Sequence, residues 1–146
     1  MARGYRDGDS KRYFDWLYYA AIDLRCAKLL NEDPKCYNQV SFHCHQCIEK
    51  GVKGFLLWKH HRLYDGHNLP FLVKQAMQDD QNFRKYLPAA TNINHYYIEA
   101  RYPADFLLQL DEQTAEKLIH TTSEMLYFIN SLVKFDFASY RQKKTN

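Results

Sequence analysis

The chain has 146 residues, of which 46% are hydrophobic and 25% charged, a composition typical of one globular domain with its own core. The net charge of +3 is too small for a protein whose main surface coats nucleic acid. No apolar run approaches the roughly 20 residues of a membrane-spanning helix, and the polar start lacks a signal-peptide core. We therefore expect a cytoplasmic protein with no membrane association, whose four cysteines are reduced.

The first predicted element is a helix over 11–31, with Asp9 or Ser10 as its N-cap. Apolar residues recur at helical spacing along it and define a buried stripe. Asp23 lies at the edge of this stripe, where a carboxylate needs a partner, and a cation such as Arg101 or Lys50 is the obvious kind. The members of the stripe are Tyr13, Trp16, Leu17, Ala20, Leu24 and Ala27.

A long second helix is predicted over 35–60 and carries two different faces. One face is apolar and contains Val40, Cys44, Cys47, Ile48, Gly51, Phe55 and Trp58. The opposite side contains Phe42, Gln46, Glu49 and Lys53 at spacings of i, i+4, i+7 and i+11. Gly51 and Gly54 each cost about 1 kcal/mol relative to alanine inside a helix. We therefore predict that another helix packs closely against this one at the two glycines.

The rest of the chain continues the helical pattern, and no strand pattern competes with it. The remaining elements are a connection over 60–70, a third helix over 70–77, an irregular polar segment over 78–90, a fourth helix over 89–102 and a last helix from Asp111 or Thr114 to Phe135. The predicted fold is all-α, an up-down bundle of four to five helices.

The helical periodicity divides the chain into one ordered domain and two terminal segments. A single helical domain covers 11–136. A disordered lead-in precedes it over 1–10, and a basic polar tail follows it over 137–146.

Four short motifs, in order along the chain, resemble the HEPN domain, the higher-eukaryote and prokaryote nucleotide-binding domain. Members typically show F-x-x-x-Q-A-x-E-K-x-x-K-A-x-L in the second helix, and this chain has Cys47 where alanine is usual. The resemblance covers roughly 12–133. The residues that carry it are Trp16, Ala20, Asp23, Leu24, Ala27 and Leu30 in the first helix, Phe42, Gln46, Glu49, Lys50 and Lys53 in the second, His67 and Leu69 before the third, and Ala100, Arg101, Tyr102 and Pro103 after the fourth.

The resemblance implies a helical bundle that dimerises, with functional residues near the dimer cleft. The family includes nucleotide-associated modules and many ribonucleases, and the ribonucleases carry an R-x4-6-H motif in a late helix. After Arg101, the positions where that histidine would fall are 106–108, which read Phe-Leu-Leu. Because this histidine is missing, the usual ribonuclease activity is not expected, and an enzyme is not the favoured interpretation. The one R-x4-H match, Arg62 to His67, lies in a histidine-rich connection and is interpreted as coincidence.

Arg101 is the leading candidate for a ligand contact. Its guanidinium is always charged and offers a fork of donors suited to phosphate. His95 and Tyr97 flank the approach to Arg101 and could line a cleft, although a tyrosine on a helix face is more often part of the core. Tyr102, the next residue, is a further candidate contact. The alternative is that Arg101 pairs with Asp23 or Glu49 and caps the fourth helix, and both interpretations stay open.

The polar side of the second helix supplies the other candidates. Lys50 and Lys53 could neutralise neighbouring phosphates, and Gln46 could contact the edge of a base. The alternative is a solvated face with a Glu49–Lys53 pair worth about 0.2–0.5 kcal/mol. Phe42, an apolar ring on this polar side, is predicted to lie at a dimer interface.

The run His43, Cys44, His45 and Cys47 has the residue types of a zinc site but lacks the second pair of ligands that structural zinc needs. The two cysteines lie on the apolar stripe, where a free thiol behaves as a small hydrophobe. No metal and no cofactor is therefore predicted. Because no glycine-rich phosphate loop is present either, side chains must make any nucleotide contacts.

The sequence thus predicts a homodimeric module that binds a nucleotide or another phosphate ligand. The resemblance also implies a separate nucleotidyltransferase as a partner, in the manner of a toxin–antitoxin pair. One alternative is a ribonuclease toxin or its degenerate relative, in which His95 or His67 replaces the missing histidine, and RNA as a substrate stays open. The other is a purely protein-interaction module.

Overall fold

The computed structural model describes residues 8–100, 102–103 and 108–140. Within these residues every regular element is helical, which confirms the predicted all-α bundle. The elements are α1 (Tyr13–Leu30), α2 (Tyr37–His60), α3 (Leu69–Met77), α4 (Leu87–Ala100) and α5 (Glu112–Val133), with short 3-10 turns at Pro34–Cys36, Gln81–Tyr86 and Phe137–Ser139. None of the described helices combines the length and apolarity that a bilayer crossing requires.

Helix α2 is the centre of the bundle, because α1, α3, α4 and α5 all pack against it. Every residue from 51 to 57 is buried. The side with Glu49 and Lys53 is also buried, at 5% and 1% exposure. The interpretation of this side as a solvated face is therefore wrong, since α4 and the connection before α3 lie over it.

The two glycines of α2 mark the places where neighbouring helices approach most closely. A Cβ atom on Gly54 would lie 2.9 Å from Cδ2 of Leu17 in α1. A Cβ atom on Gly51 would lie 3.3 Å from Cδ1 of Ile129 in α5. The predicted close packing at both glycines is confirmed.

The start of α1 differs from the prediction. Arg12 is the N-cap and makes no side-chain capping hydrogen bond, so the expected caps, Asp9 and Ser10, are wrong. The hydroxyl of Ser10 instead donates to Asp15 at 2.6 Å. The oxygen of this hydroxyl accepts from the N–H of Arg12 at 3.0 Å, so Ser10 bonds to the residue before the helix rather than to the free N–H groups that a cap would satisfy.

The other helix starts follow ordinary capping chemistry. Asn68 caps α3 by accepting from the N–H of Phe71 at 3.0 Å. Asp111, one of the two predicted starts of the last helix, caps α5 by accepting from the N–H of Thr114 at 2.8 Å.

The segment 78–90 is more regular than predicted. A 3-10 turn occupies Gln81–Tyr86, and α4 begins at Leu87. Phe83 of this turn is fully buried, with its ring 4.8 Å from that of Phe55 and 5.0 Å from that of Phe128. Although polar residues surround Phe83 in the sequence, this one ring fixes the segment to the core.

Residues 137–140, which the sequence placed in the tail, lie against α1. The ring of Tyr140 stacks on that of Tyr18 at 4.2 Å, and its hydroxyl donates to Asp15 at 2.6 Å. Burial, together with this carboxylate, raises the pKa of Tyr140 to about 12. Burial also acts to raise the pKa of Asp15, but hydrogen bonds from Ser10, Tyr140 and Arg12 outweigh it and hold that pKa below its ordinary value.

Candidate functional site

A group of polar side chains lies where α2, the connection 61–68 and α4 meet. Its members, called here the polar cluster, are His45, Glu49, Lys53, His67 and Tyr97. The first three lie four residues apart on α2 and so form one stripe of that helix. His45 is fully buried, as Glu49 and Lys53 nearly are. Such groups are tolerated in a core only when each has a partner.

Glu49 is the central acceptor of the polar cluster. Its Oε1 accepts from Nδ1 of His67 at 2.7 Å, and its Oε2 accepts from Nζ of Lys53 at 3.4 Å. The predicted Glu49–Lys53 pair is therefore present, but in the core. The ammonium of Lys53 faces a buried carboxylate rather than the solvent.

His67 is the most exposed member of the polar cluster, with 58% of its side chain accessible to solvent. Its ring is held by Glu49, and its backbone carbonyl accepts from Nε2 of His45 at 2.8 Å. The chain just after it is held as well, because the N–H of Leu69 donates to Oδ1 of Asn94 in α4 at 3.2 Å. Nε2 of His67 has no hydrogen-bond partner in the part of the chain that the structure describes.

His45 supports this arrangement as a neutral ring. Burial lowers its pKa from 6.5 to about 4, although Glu49 and the hydrogen bonds to the ring oppose the shift. Because a carbonyl only accepts, the proton lies on Nε2, and Nδ1 accepts from the amide of Gln46 at 3.3 Å. The ring of Tyr97 stacks on that of His45 with their centroids 3.6 Å apart.

Phe42 extends this stack towards the surface. Its half-buried ring is stacked on that of Tyr97 with a centroid distance of 6.0 Å. The residue predicted for a dimer interface therefore lies next to the polar cluster.

A second polar contact joins α1 to α2 on the flank of this site. Asp23 accepts from Nζ of Lys50 at 2.5 Å and from Nδ1 of His43 at 2.9 Å. Lys50 was one of the cations expected to neutralise Asp23, and the structure confirms that pair. The other, Arg101, lies outside the described residues.

The structure thus brings together four predicted site residues: Gln46, Glu49, Lys53 and Tyr97. Lys50 lies on the flank towards α1, and Tyr102 is 64% exposed after the end of α4. Sequence reasoning considered His45 only as a metal ligand and missed its place in the polar cluster. Its position four residues before Glu49, on the stripe that continues to Lys53, was the signal that would have identified it.

The cysteines and histidines do not form a metal site in the described part of the chain, where no group of three or more histidine, cysteine or acidic side chains could hold an ion. Burial raises the pKa of Cys44 to about 12 and that of Cys47 well above its usual value. Both therefore remain thiols at neutral pH and serve as small apolar residues of the core.

Chemically, the site offers an imidazole fixed at its inner nitrogen by a buried carboxylate, with its outer nitrogen turned away from that carboxylate. Such a ring can donate to an anion when protonated and accept a proton when neutral. The stacked rings of His45 and Tyr97 form a rigid wall beside it.

Fold and site together define an all-helical module built around one central helix. The chain belongs to the HEPN domain family, whose model matches residues 13–132. This confirms the family that the sequence motifs predicted. No curated protein matches the chain.

Two solved structures are similar to it. TT1696 from Thermus thermophilus is 24% identical, with a TM-score of 0.72 over 84% of this chain and 98% of that one. ST0689, described as an archaeal HEPN homologue, is 26% identical, with a TM-score of 0.67 over 85% of this chain and 99% of that one. These likenesses confirm the helical architecture.

Proposed function

We propose that this chain is a HEPN module that binds a nucleotide, or another ligand with a phosphate group, on the face formed by α2, the connection 61–68 and the end of α4. The supporting observation is the exposed imidazole of His67, held 2.7 Å from the buried carboxylate of Glu49. When His67 is protonated, Nδ1–H donates to Glu49, which leaves Nε2–H to donate a charge-assisted hydrogen bond to a phosphate oxygen.

The predicted ligand contacts take distinct roles in this proposal. Tyr97 forms the wall, and Gln46 is half-buried beside it. Lys53 acts as the buried counter-charge of Glu49. Arg101 follows the last residue of α4 in sequence and would supply a guanidinium fork to the phosphate.

The remaining two candidates lie at the edges of this face. Lys50 balances Asp23 and keeps about a quarter of its side chain exposed. Tyr102, which is largely exposed, would contact the base or the sugar.

We also propose that the module is a homodimer with Phe42 at the interface, next to the ligand. An apolar ring that is only half-buried, between polar neighbours, gains stability when a second copy covers it. Sedimentation equilibrium of Phe42→Glu should then show a monomer that keeps its helical content. If Phe42→Glu is still a dimer, the interface lies elsewhere on the surface.

A separate nucleotidyltransferase is the proposed heterologous partner, and co-purification with such a protein is its test.

The proposed ligand site is tested by calorimetry and thermal shift with ATP, GTP, CTP, UTP and inorganic phosphate. A ligand at 100 times its Kd stabilises the fold by about 2.7 kcal/mol, which shifts the Tm by several degrees in a domain of this size. His67→Asn and Arg101→Ala should each weaken binding, because each removes a phosphate donor.

The matched control is His120→Asn, since His120 is an exposed histidine on α5 that pairs only with Glu124 among the described contacts. Equal affinity in His67→Asn and His120→Asn would show that the anchored imidazole is not a ligand contact.

The same carboxylate–imidazole pair favours one second candidate function, cleavage of RNA. An imidazole oriented by a carboxylate is a common general base, and the exposed Nε2 could take the proton from a ribose hydroxyl. Cleavage by the purified protein should then be lost in His67→Asn and Arg101→Ala but kept in His120→Asn. Activity that survives both site variants would come from a contaminating nuclease.

A further inference from the structure

A cleft runs between α4 and α5 on a different flank of α4 from the polar cluster. Asn94 and Tyr97 of α4 face α2 and the connection, whereas Pro88, Asn92 and Tyr96 line the cleft. The two helices pack on α2 but make few direct contacts with each other.

Small side chains leave part of the space between the two helices unfilled. Ala89 on α4 and Thr121 on α5 both line the cleft, together with the buried side chains of Ile93 and Leu118. The resulting volume is about 650 Å³, within the range of small-molecule sites.

The charged side chains that line this cleft in the described part of the chain are all positive. Lys85, just before α4, and Lys117, on α5, both line it, and no carboxylate among the described residues does. Neither lysine makes an ion pair within that part of the chain. The Nζ atom of Lys85 lies 5.1 Å from the ring centroid of Tyr86 and 5.3 Å from that of Phe128, so two aromatic faces hold it in place.

Uncharged hydrogen-bonding groups complete the lining. The side-chain amides of Asn92 and Gln113 have no hydrogen-bond partner within the described ranges. Tyr96 adds an aromatic ring with a hydroxyl. Two cations, two amides and an aromatic wall, with no competing acid in the described lining, suit a ligand that has an anionic end and a polar body.

We infer that the cleft between α4 and α5 binds a small phosphate ester, with Lys85 and Lys117 on the phosphate and with Asn92 and Gln113 on the rest of the ligand. This site is separate from the His67 face and does not depend on the function proposed there.

The experiment is a titration of the ¹⁵N-labelled protein with ribose 5-phosphate and, in a second arm, with AMP, followed by amide chemical shifts. Both probes should shift the amides of residues 85–96 and 113–121. Lys117→Gln should weaken the binding by about tenfold, the loss of one charge-assisted contact. The second variant, Asn92→Ala, should weaken it less, and both residues are exposed, so the fold is retained.

The matched control is Lys74→Gln, which removes the same charge from an exposed position on α3 outside the cleft. Equal affinity in Lys117→Gln and Lys74→Gln would overturn the inference, as would shifts confined to residues around His67. Because His67→Asn leaves the cleft intact, binding that survives in this variant and is lost in Lys117→Gln supports the cleft even if the function proposed above is wrong.

Discussion

The neutral state of His45 makes a quantitative prediction about acid stability. Its pKa falls from 6.5 in the unfolded chain to about 4 in the fold, chiefly because the ring is buried. One pKa unit corresponds to about 1.4 kcal/mol, so the difference amounts to roughly 3 kcal/mol of the free energy of unfolding. This contribution is complete above pH 6.5 and is lost as the pH falls from 6.5 towards 4, because the unfolded chain then binds a proton that the folded chain does not.

The perturbation is His45→Gln, which removes the titrating group while keeping an amide that can donate to the carbonyl of His67. Urea denaturation is measured every half unit between about pH 4 and 7 for both proteins. We expect the wild type to lose about 3 kcal/mol more than the variant across this range. Asp15 and Asp111, whose pKa values are lowered by their hydrogen bonds, also cost stability in acid, but they do so equally in both proteins.

His45→Gln also loses part of the stack on Tyr97, so it is expected to be less stable than the wild type at pH 7. That offset does not affect the comparison, which depends on the slope alone. Parallel loss of stability in the wild type and in His45→Gln would refute the reasoning, since His45 would then not be the group that takes up the proton.

Three other predictions concern packing, the C-terminal contact and the ligand. Gly54→Ala should make the fold less stable in urea denaturation, because its Cβ would lie 2.9 Å from Cδ2 of Leu17 and 3.2 Å from Cβ of Trp16; this overpacking costs about 1–3 kcal/mol and outweighs the roughly 1 kcal/mol that alanine gains in a helix, so a variant as stable as the wild type would contradict this packing. Tyr140→Phe should lower the free energy of unfolding by about 0.5–1.5 kcal/mol, because the hydrogen bond to Asp15 is lost, and an unchanged midpoint would show that the contact contributes nothing. Phosphate affinity, measured calorimetrically, should fall about tenfold in His67→Asn, because the variant removes the Nε2–H donor to the phosphate; an affinity equal to that of the wild type would exclude that contact.

The helices were predictable because periodicity is a local signal that the sequence displays directly. Gly51 and Gly54 even indicated where helices approach, since a glycine inside a helix needs a packing reason. Phe83 shows where this reasoning fails. A single aromatic residue in a polar segment carries no periodicity, yet its burial orders the whole turn that contains it.

The sequence allowed us to predict several residues of the candidate site, but not that these residues are buried. The spacing of Glu49 and Lys53 showed that they can pair, but not whether solvent or another element covers them. That depends on the connection that places His67 against Glu49, a contact between residues 18 positions apart. Only the tertiary fold decides that Lys53 is a counter-charge in the core rather than a surface cation.

The two oxygens of Glu49 have a further consequence for motion. One oxygen is bonded within α2, and the other holds the irregular connection through His67. If the connection moved away from α2, the buried carboxylate of Glu49 would lose its hydrogen bond from His67, at a cost of the order of 1–3 kcal/mol. The connection should therefore open far less often than its lack of regular structure implies.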